Sequence, residues 1–479
     1  MQTVIAIDIG TSSTKATVVR ADGAILATTS ADYSLHVEGN RVEQNPQDWQ
    51  RATMTVLQTL LGQSAAYKPQ VVILSGQMQD VVLLNKQGEP LRPAILYSDT
   101  RATEEAAIVH AQIGETRLRE TTGNLQDASS LLAKLLWIKR HEPAVYANAA
   151  QLFIGAHSVV YHHFSGAHVA DFTTASTTGL LDLRQNAWAT DLLDALELRS
   201  DWLPELVTST DLLAMQGAAL SLPLIHGAGD LLTTTLGAGH AGALYGYLGS
   251  SGWLAATHHQ PVDPETGIFN IRHAELDKFV LVGPMITAAG NVDWLREQFA
   301  ELDELNAQAA QSPAGSGGLI YLPYLQGERS PFRDPQARGA WIGLGRNTTK
   351  GDLYRAVMEG VAFAMRDISE VMPRQPDQAQ SLTLTGGGAN SALWMQIFAD
   401  VFGCPVQVLA DPSNVGARGA AMLAGRQLGW QTAGHFNIPI AQTFTPNAAH
   451  AEIYQRRYPV FKSAYPALKY TYQLSSDVM

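Results

Sequence analysis

The opening of this chain constrains its fold more than any other stretch. Val4-Ile5-Ala6-Ile7-Asp8-Ile9-Gly10 runs directly into Thr11-Ser12-Ser13-Thr14-Lys15. An apolar, β-branched run of this kind predicts a buried strand. It carries one carboxylate, Asp8, where a core strand does not tolerate an unpaired charge. Gly10 permits a tight turn, and Ala16-Thr17-Val18-Val19 resumes strand character, so the segment reads as a hairpin with a polar tip. Backbone N–H groups and hydroxyls at such a tip can cradle phosphate oxygens, and Asp8 can hold a hydrated magnesium ion. An ordinary hairpin turn accounts for the same residues.

At 479 residues the chain exceeds one ordinary core and predicts two or three domains. Its 46% apolar and 16% charged content is that of a soluble globular protein. A net charge of −12 argues against broad binding to nucleic acid or to anionic membrane. The first strand begins without a basic leader or cleavage site, and no apolar run reaches the roughly 20 residues of a membrane span. Cys404 is the single cysteine, which excludes an intrachain disulfide and suits a reducing cytoplasm. Within Phe402-Gly403-Cys404-Pro405-Val406 it is expected to pack rather than to react.

Along the chain, the pattern predicts strands over residues 4–9, 14–20 and 24–29, with Asp22-Gly23 as a hairpin turn. Residues 48–61 and 129–140 have helical spacing. A strand over 70–74 enters Ser75-Gly76-Gln77-Met78-Gln79-Asp80, and another covers 81–84. Leu224-Ile225 leads into a turn, Gly227-Ala228-Gly229-Asp230, followed by a helical segment over 231–236. Near the midpoint, Tyr245-Gly246-Tyr247-Leu248-Gly249 meets Ser250-Ser251-Gly252 and then Trp253-Leu254-Ala255-Ala256-Thr257. This is a second, looser version of the opening hairpin, although glycine–serine turns are common. The strand Leu382-Thr383-Leu384-Thr385 is followed by Gly386-Gly387-Gly388-Ala389-Asn390 and a helix over 391–402. Three successive glycines let the backbone approach a ligand closely at a helix N-terminus that favours an anion, where a plain connection needs one. A nucleotide site is the favoured reading.

Other patterns are decoys. Gly237-Ala238-Gly239-His240-Ala241-Gly242 spells the dinucleotide fingerprint but follows a helical segment and precedes a strand, the reverse of the required order. No G-x-x-x-x-G-K-[ST] occurs. His162-His163 and His258-His259 are adjacent pairs that cannot share a face, so a zinc site is not expected.

Two phosphate turns, a glycine-rich turn and Asp230 after glycine resemble the FGGY family of carbohydrate kinases, and within it xylulokinases. The resemblance runs over nearly the whole chain. It covers residues 8–15, Val42-Glu43-Gln44-Asn45-Pro46 with Trp49, Ser75-Gly76-Gln77-Met78, residues 93–101 and Lys134-Leu135-Leu136-Trp137. It continues through Gly327-Glu328-Arg329-Ser330-Pro331, Ala337-Arg338-Gly339 and Met358-Glu359-Gly360-Val361-Ala362-Phe363, and ends with 386–390, Trp394 and Asp400. The family implies an α/β fold of two actin-like (ribonuclease H-like) ATPase domains with an interdomain cleft. The boundary is expected near Gly242–Tyr245, giving a sugar-binding domain over 1–243 that holds the catalytic base and a nucleotide-binding domain over 244–479.

The resemblance also implies the roles. Asp230 matches the catalytic base, with capping of its own helix as the plainer role. Asp8 matches the residue that positions magnesium. Thr11, Ser12 and Ser13, with Ser250, Ser251 and Gly252, are expected at the terminal phosphates of ATP. Gly386, Gly387, Gly388 and Asn390 are expected along the adenosine and α-phosphate, and Lys15 at phosphate charge. Met78 and Gln79 match the pair lining the sugar pocket, with Asp99 and Arg101 nearby. Glu328, Arg329 and Arg338 are read as a structural ion-pair set.

The chain departs from the family at three places: Gln79 stands for a histidine, Leu231 for an asparagine and Tyr97 for a tryptophan. Gln79 keeps a donor and an acceptor, whereas Leu231 removes a polar contact of the kind that reads hydroxyls. The expected reaction is MgATP-dependent phosphorylation of a ketopentose, D-xylulose giving D-xylulose 5-phosphate. Gluconate, another ketose or a polyol is the alternative substrate. A non-catalytic actin-like regulator is the alternative class, and retention of Asp8 and Asp230 argues against it. A cytoplasmic location and a homodimer are family-level expectations.

Overall fold

The computed structural model describes residues 2–209, 222–239, 244–299, 302–373, 381–432, 436 and 438–476. The expected boundary near Gly242–Tyr245 lies partly outside these residues. The chain gathers into two compact units, each built from three stretches of sequence. The first comprises Met1–Ala238, Phe269–Val280 and Ser413–Ile438; the second comprises Gly239–Ile268, Leu281–Pro412 and Pro439–Met479. Among the described residues no helix is long and apolar enough to cross a membrane.

The first unit is organised by a five-stranded sheet in the order Leu224–Gly229, Val72–Gly76, Thr3–Ile9, Ser13–Arg20, Ile25–Asp32. The opening hairpin is antiparallel, with Asp8 opposite Lys15 and Ile9 opposite Thr14. The third strand runs on to Asp32 because it stays paired with the second as far as Ser13. Thr3–Ile9, Val72–Gly76 and Leu224–Gly229 are mutually parallel, so their carboxyl ends emerge together. In such sheets that edge is where ligands bind. Asn45 caps the helix Pro46–Leu61, whose buried Trp49, Ala52, Thr53, Val56, Leu57 and Leu60 recur at helical spacing.

One part of the sequence reading needs correction. Gly227-Ala228-Gly229 is not a turn after a short strand but the end of the strand itself. The register shifts between Ile225 and Ala228, and Gly227 has φ +75°. A Cβ on Gly227 would lie 1.7 Å from the Leu74 carbonyl oxygen, so glycine here marks a bulge pressed on the neighbouring strand.

The second unit repeats the plan. Five consecutive strands of its sheet follow the order Gly252–His258, Leu244–Leu248, Leu382–Thr385, Val406–Leu409, Ile440–Phe444. Its hairpin is again antiparallel, with Tyr247 opposite Trp253, and a parallel strand places Thr385 beside Tyr247. A capping box of Thr349 and Asp352 starts the long helix Lys350–Glu370. In that helix, buried Glu359 accepts from the Gly315 amide (2.9 Å), Ser316 (2.7 Å), Arg355 (2.8 Å) and the Tyr454 hydroxyl (2.7 Å). The Met358–Phe363 motif is thereby a packing element of this unit.

Candidate active site

The tip of the first hairpin is held by side chains that the sequence motif supplies. Gln44 Nε2 donates to the Thr11 carbonyl (2.8 Å), and Thr11 Oγ1 donates to Gln77 Oε1 (3.0 Å). Trp49 Nε1 and Gln77 Nε2 both donate to Gln44 Oε1, at 2.7 and 3.1 Å. The Tyr33 hydroxyl donates to the Gly10 carbonyl (2.6 Å). Ser12 is exposed while Thr11 and Ser13 are partly buried. The turn is therefore a fixed frame with its outermost hydroxyl in solvent.

Asp8 lies beside Ser75 in the parallel register, and Asp230 directly follows Gly229, the partner of Gly76. One strand separates theirs, so the two strands run about 10 Å apart at the same sheet edge. Both residues are partly exposed. Burial raises the Asp8 carboxyl, opposed by Lys15 and His157. Burial, then the charge on Asp8, pushes Asp230 up to about 7. Asp230 is the first residue of the helix Asp230–Ala238. A carboxyl that titrates near neutrality at a strand end suits a proton acceptor. Asp8 Oδ1 is buried and has no hydrogen-bond partner among the described residues, which fits an oxygen facing a hydrated cation.

Glycines let these parts close up. A Cβ on Gly229 would lie 2.4 Å from Met78 Sδ, and one on Gly76 would lie 3.1 Å from the Ile9 carbonyl and 3.2 Å from the His157 amide. Met78 begins a strand whose pairing with Gln151–Gly155 slips between Met78 and Val82. Gln79 sits in that bulge at φ +65°, a left-handed conformation that re-aims its side chain. Behind it, Asp80 is fully buried, and neither carboxylate oxygen meets a hydrogen-bond partner of good geometry among the described residues. Burial drives its carboxyl well up, against the pull of Lys134. Lys134, whose own ammonium donates to the Leu96 carbonyl (2.7 Å), is lowered by burial to about 8.

Asp99 has a different task. It is buried, and it accepts from the Val42 amide (2.6 Å) and from Arg101. Its oxygens are committed to fixing this loop. Lys15 Nζ donates to the Ser413 carbonyl, across to the start of a helix of the same unit. The proposed ion-pair set is not observed: Glu328 Oε1 accepts from the Ile286 and Arg329 amides (3.0 and 2.8 Å), and Arg338 donates to the Pro335 and Ala337 carbonyls. Backbone amides, not arginines, anchor this carboxyl.

In the second unit, Ser250 and Ser251 are exposed at the hairpin tip. The Ser250 carbonyl accepts from the Ala288 and Gly290 amides (2.8 and 3.0 Å), which fixes the turn. Gly252 is buried against Ala288 and Met365. The three glycines divide their work. A Cβ on Gly386, which has φ +93°, would lie 2.6 Å from the Leu248 carbonyl, and one on Gly388 would lie 2.6 Å from the Leu248 side chain. A Cβ on Gly387 would meet nothing within 4 Å. Two glycines are needed for packing, and Gly387 together with Asn390 is exposed.

Sequence reasoning missed three groups here. His157, Asp171 and His226 place ligand-type atoms within 4.8 Å of one another, all buried, whereas only adjacent histidines had been weighed for zinc. Asp171 accepts from His157 Nε2 (2.9 Å), Thr174 Oγ1 (2.7 Å) and the Thr174 amide (3.0 Å), and His226 pairs with Ser158 (2.9 Å). Those bonds make the cluster a polar buttress against Gly76. Thr233 and Thr234 were also missed, although their spacing of three and four from Asp230 could have flagged them. Gly416, brought beside Asp8 by a helix crossing, carried no signal at all.

Comparison with known proteins gives this geometry its class, carbohydrate kinase. The N-terminal domain model of the FGGY family of carbohydrate kinases matches residues 3–237, and the C-terminal domain model matches 244–428. The chain belongs to the FGGY family. It is 30% identical to a xylulose kinase of Staphylococcus epidermidis, over 100% of this chain and 99% of that one. A ligand-bound xylulose kinase from Lactobacillus acidophilus superposes with TM-score 0.89 at 26% identity, covering 99% of both chains. A gluconate kinase from the same organism reaches the same TM-score and identity, covering 98% of this chain and 99% of that one. The expected family and its mixed α/β fold stand; the neighbours carry more than one sugar name.

Proposed function

We propose that this chain transfers the γ-phosphoryl group of MgATP to a hydroxyl of a ketopentose, D-xylulose first, giving D-xylulose 5-phosphate in the cytoplasm. The observation that carries the proposal is Asp230, a partly exposed carboxyl titrating near 7 at a parallel-strand end, two strands from Asp8. Full-length similarity to a xylulose kinase supports the sugar.

In this reading Asp230 accepts the proton of the attacking hydroxyl, because its pKa leaves it largely ionised above neutrality while still basic. Met78 and the bulged Gln79 line the sugar, and Asp99 shapes their wall from behind. Bound magnesium would supply charge neutralisation at the phosphates, and Asp8 would hold it. Thr11, Ser12, Ser13 and Lys15 orient the terminal phosphates, together with Ser250, Ser251 and Gly252. Gly386, Gly387, Gly388 and Asn390 receive the nucleoside side. In this reading the base and the cation-holding carboxylate fall to the first unit, and the glycine run of the nucleoside side falls to the second.

The second reading is a sugar acid, favoured by the likeness to a gluconate kinase and by Leu231, which removes a polar contact beside the base. A coupled ADP-release assay across D-xylulose, D-ribulose, L-xylulose, gluconate, glycerol and erythritol separates the two. The proposal expects the highest kcat/KM on D-xylulose. Preference for gluconate would overturn it in favour of the second reading.

A further inference from the structure

The helix Asp230–Ala238 carries three consecutive threonines, and their hydroxyls have different fates. Thr235 Oγ1 donates to the Leu231 carbonyl (2.8 Å), a back-bond within the helix. Thr233 Oγ1 donates to the Asp230 carbonyl (3.1 Å) and pairs with Ser75 Oγ (2.8 Å). The Thr234 hydroxyl has no hydrogen bond among the described residues, and Thr234 is partly exposed. It lies four residues after Asp230, hence on the same helix face one turn along.

That face looks onto an unusual glycine. The helix Asp230–Ala238 crosses Val415–Gln427 at backbone contact: a Cβ on Gly237 would lie 1.9 Å from the Val415 carbonyl, and one on Gly419 would lie 1.7 Å from the Thr233 carbonyl. Those glycines are forced by the crossing. Gly416 is not: it has no positive φ, and a Cβ there would have ordinary room. The three atoms nearest to such a Cβ are all oxygens, Asp8 Oδ2 and Thr234 Oγ1 at 3.6 Å and Thr233 Oγ1 at 3.8 Å. Asp8, Thr234, Gly416 and Asp230 are all partly exposed. Asp8 Oδ1 has no hydrogen-bond partner among the described residues. A small gap with several polar neighbours is where an ordered water resides.

We infer that Thr234 is a positioning residue for the divalent cation, its hydroxyl and Asp8 holding between them a cation-bound water in the space that Gly416 leaves open. Thr233, tied to Ser75, keeps the helix face in place but has its hydroxyl already engaged. This rests on the reading of Asp8 as the cation-holding residue, and it adds a group from a different element to that site. Outer-shell hydrogen bonds of this kind orient metal ligands and tune affinity.

The test is Mn²⁺ binding to the full chain with ADP present, followed by electron paramagnetic resonance, which needs no turnover. Thr234→Val removes the hydroxyl at nearly constant shape and is expected to weaken Mn²⁺ binding about tenfold. Thr234→Ser is expected to restore it, and Gly416→Ala, which fills the gap, to weaken it again. Metal-free ADP affinity should stay unchanged in all three, which a merely structural defect would not allow. Asp8→Asn separates the two layers of the argument. If Asp8→Asn weakens binding and Thr234→Val does not, the inference falls and the reading of Asp8 survives. If neither weakens it, both fall.

Discussion

The two hairpins share a backbone and differ in chemistry. Each consists of two antiparallel strands with a third strand parallel to the first. At the matching position before the turn glycine, the first presents Asp8 opposite Lys15 and the second presents Tyr247 opposite Trp253. Asp8 and Lys15 are ionisable, and one strand separates Asp8 from the strand that leads into Asp230. Tyr247 and Trp253 stack at 6.2 Å between ring centroids, and Tyr247 covers Gly249, where a Cβ would lie 2.5 Å from its ring. One repeat therefore carries titratable groups, and the other carries a rigid turn with exposed serines. A duplicated scaffold can keep its geometry while the two copies carry different side chains at matching positions.

The comparison can be broken by substitution, and the largest effect is expected in the first unit. Asp230→Ala should lower kcat about 10²–10⁴-fold in ADP release with D-xylulose, with KM for ATP little changed. Asp8→Asn should cost about 10–100-fold and raise the Mg²⁺ concentration needed for half-maximal rate. Tyr247→Ala, at the corresponding place in the second hairpin, should change kcat by no more than about twofold while raising KM for ATP, the pattern of lost uniform binding. Equal kcat losses at Asp8 and Tyr247 would erase the distinction drawn here.

The glycine run sharpens it. Gly386→Ala should destabilise by about 1–3 kcal/mol in thermal unfolding, because its φ of +93° and the Leu248 carbonyl leave no place for a side chain. Gly387→Ala should leave the unfolding temperature unchanged and raise KM for ATP. A loss of stability at Gly387 would assign it to packing with its neighbours.

The smallest effect concerns pH. Asp230 must be ionised to take a proton, so kcat/KM should rise as pH rises through about 7 and level off above it. Its folded-state pKa is raised from the ordinary carboxylate value of 3.8 to about 7, so the cost of ionising it in the folded state accumulates as pH climbs between the two. Asp230→Asn should therefore raise the unfolding temperature by about 2 °C or more at pH 8 and by less near pH 4. An equal gain at both pH values would place its origin elsewhere.

Asp8 and Asp230 stand out in the sequence because a lone carboxylate in an apolar strand, or directly after a glycine-rich segment, violates local expectation, and the fold places both at one sheet edge. The Asp22-Gly23 turn was legible for the same local reason, and Gly23 has φ +87°. The run of Gly386, Gly387 and Gly388 was recognised, but its split into two packing glycines and one open glycine depends on Leu248, far away in sequence. Gly227 was misread because a bulge inside a strand and a turn after it use the same residue type. Asp99 looked like a sugar contact and Glu328 like an ion-pair partner, and only the groups they accept from, the Val42 amide and Arg101 for Asp99 and the Ile286 and Arg329 amides for Glu328, show what they hold. Thr234 and Gly416 lie far apart in the chain and meet only through a helix crossing that no local pattern encodes.

The most direct test of the central claim is the rate of ADP release by wild type and Asp230→Ala, each with and without D-xylulose, on protein shown to bind ATP equally. We predict that the sugar strongly stimulates the wild type and that the stimulation is lost in Asp230→Ala. Sugar-stimulated turnover that survives in Asp230→Ala would contradict the assignment of the base to the first unit's strand edge.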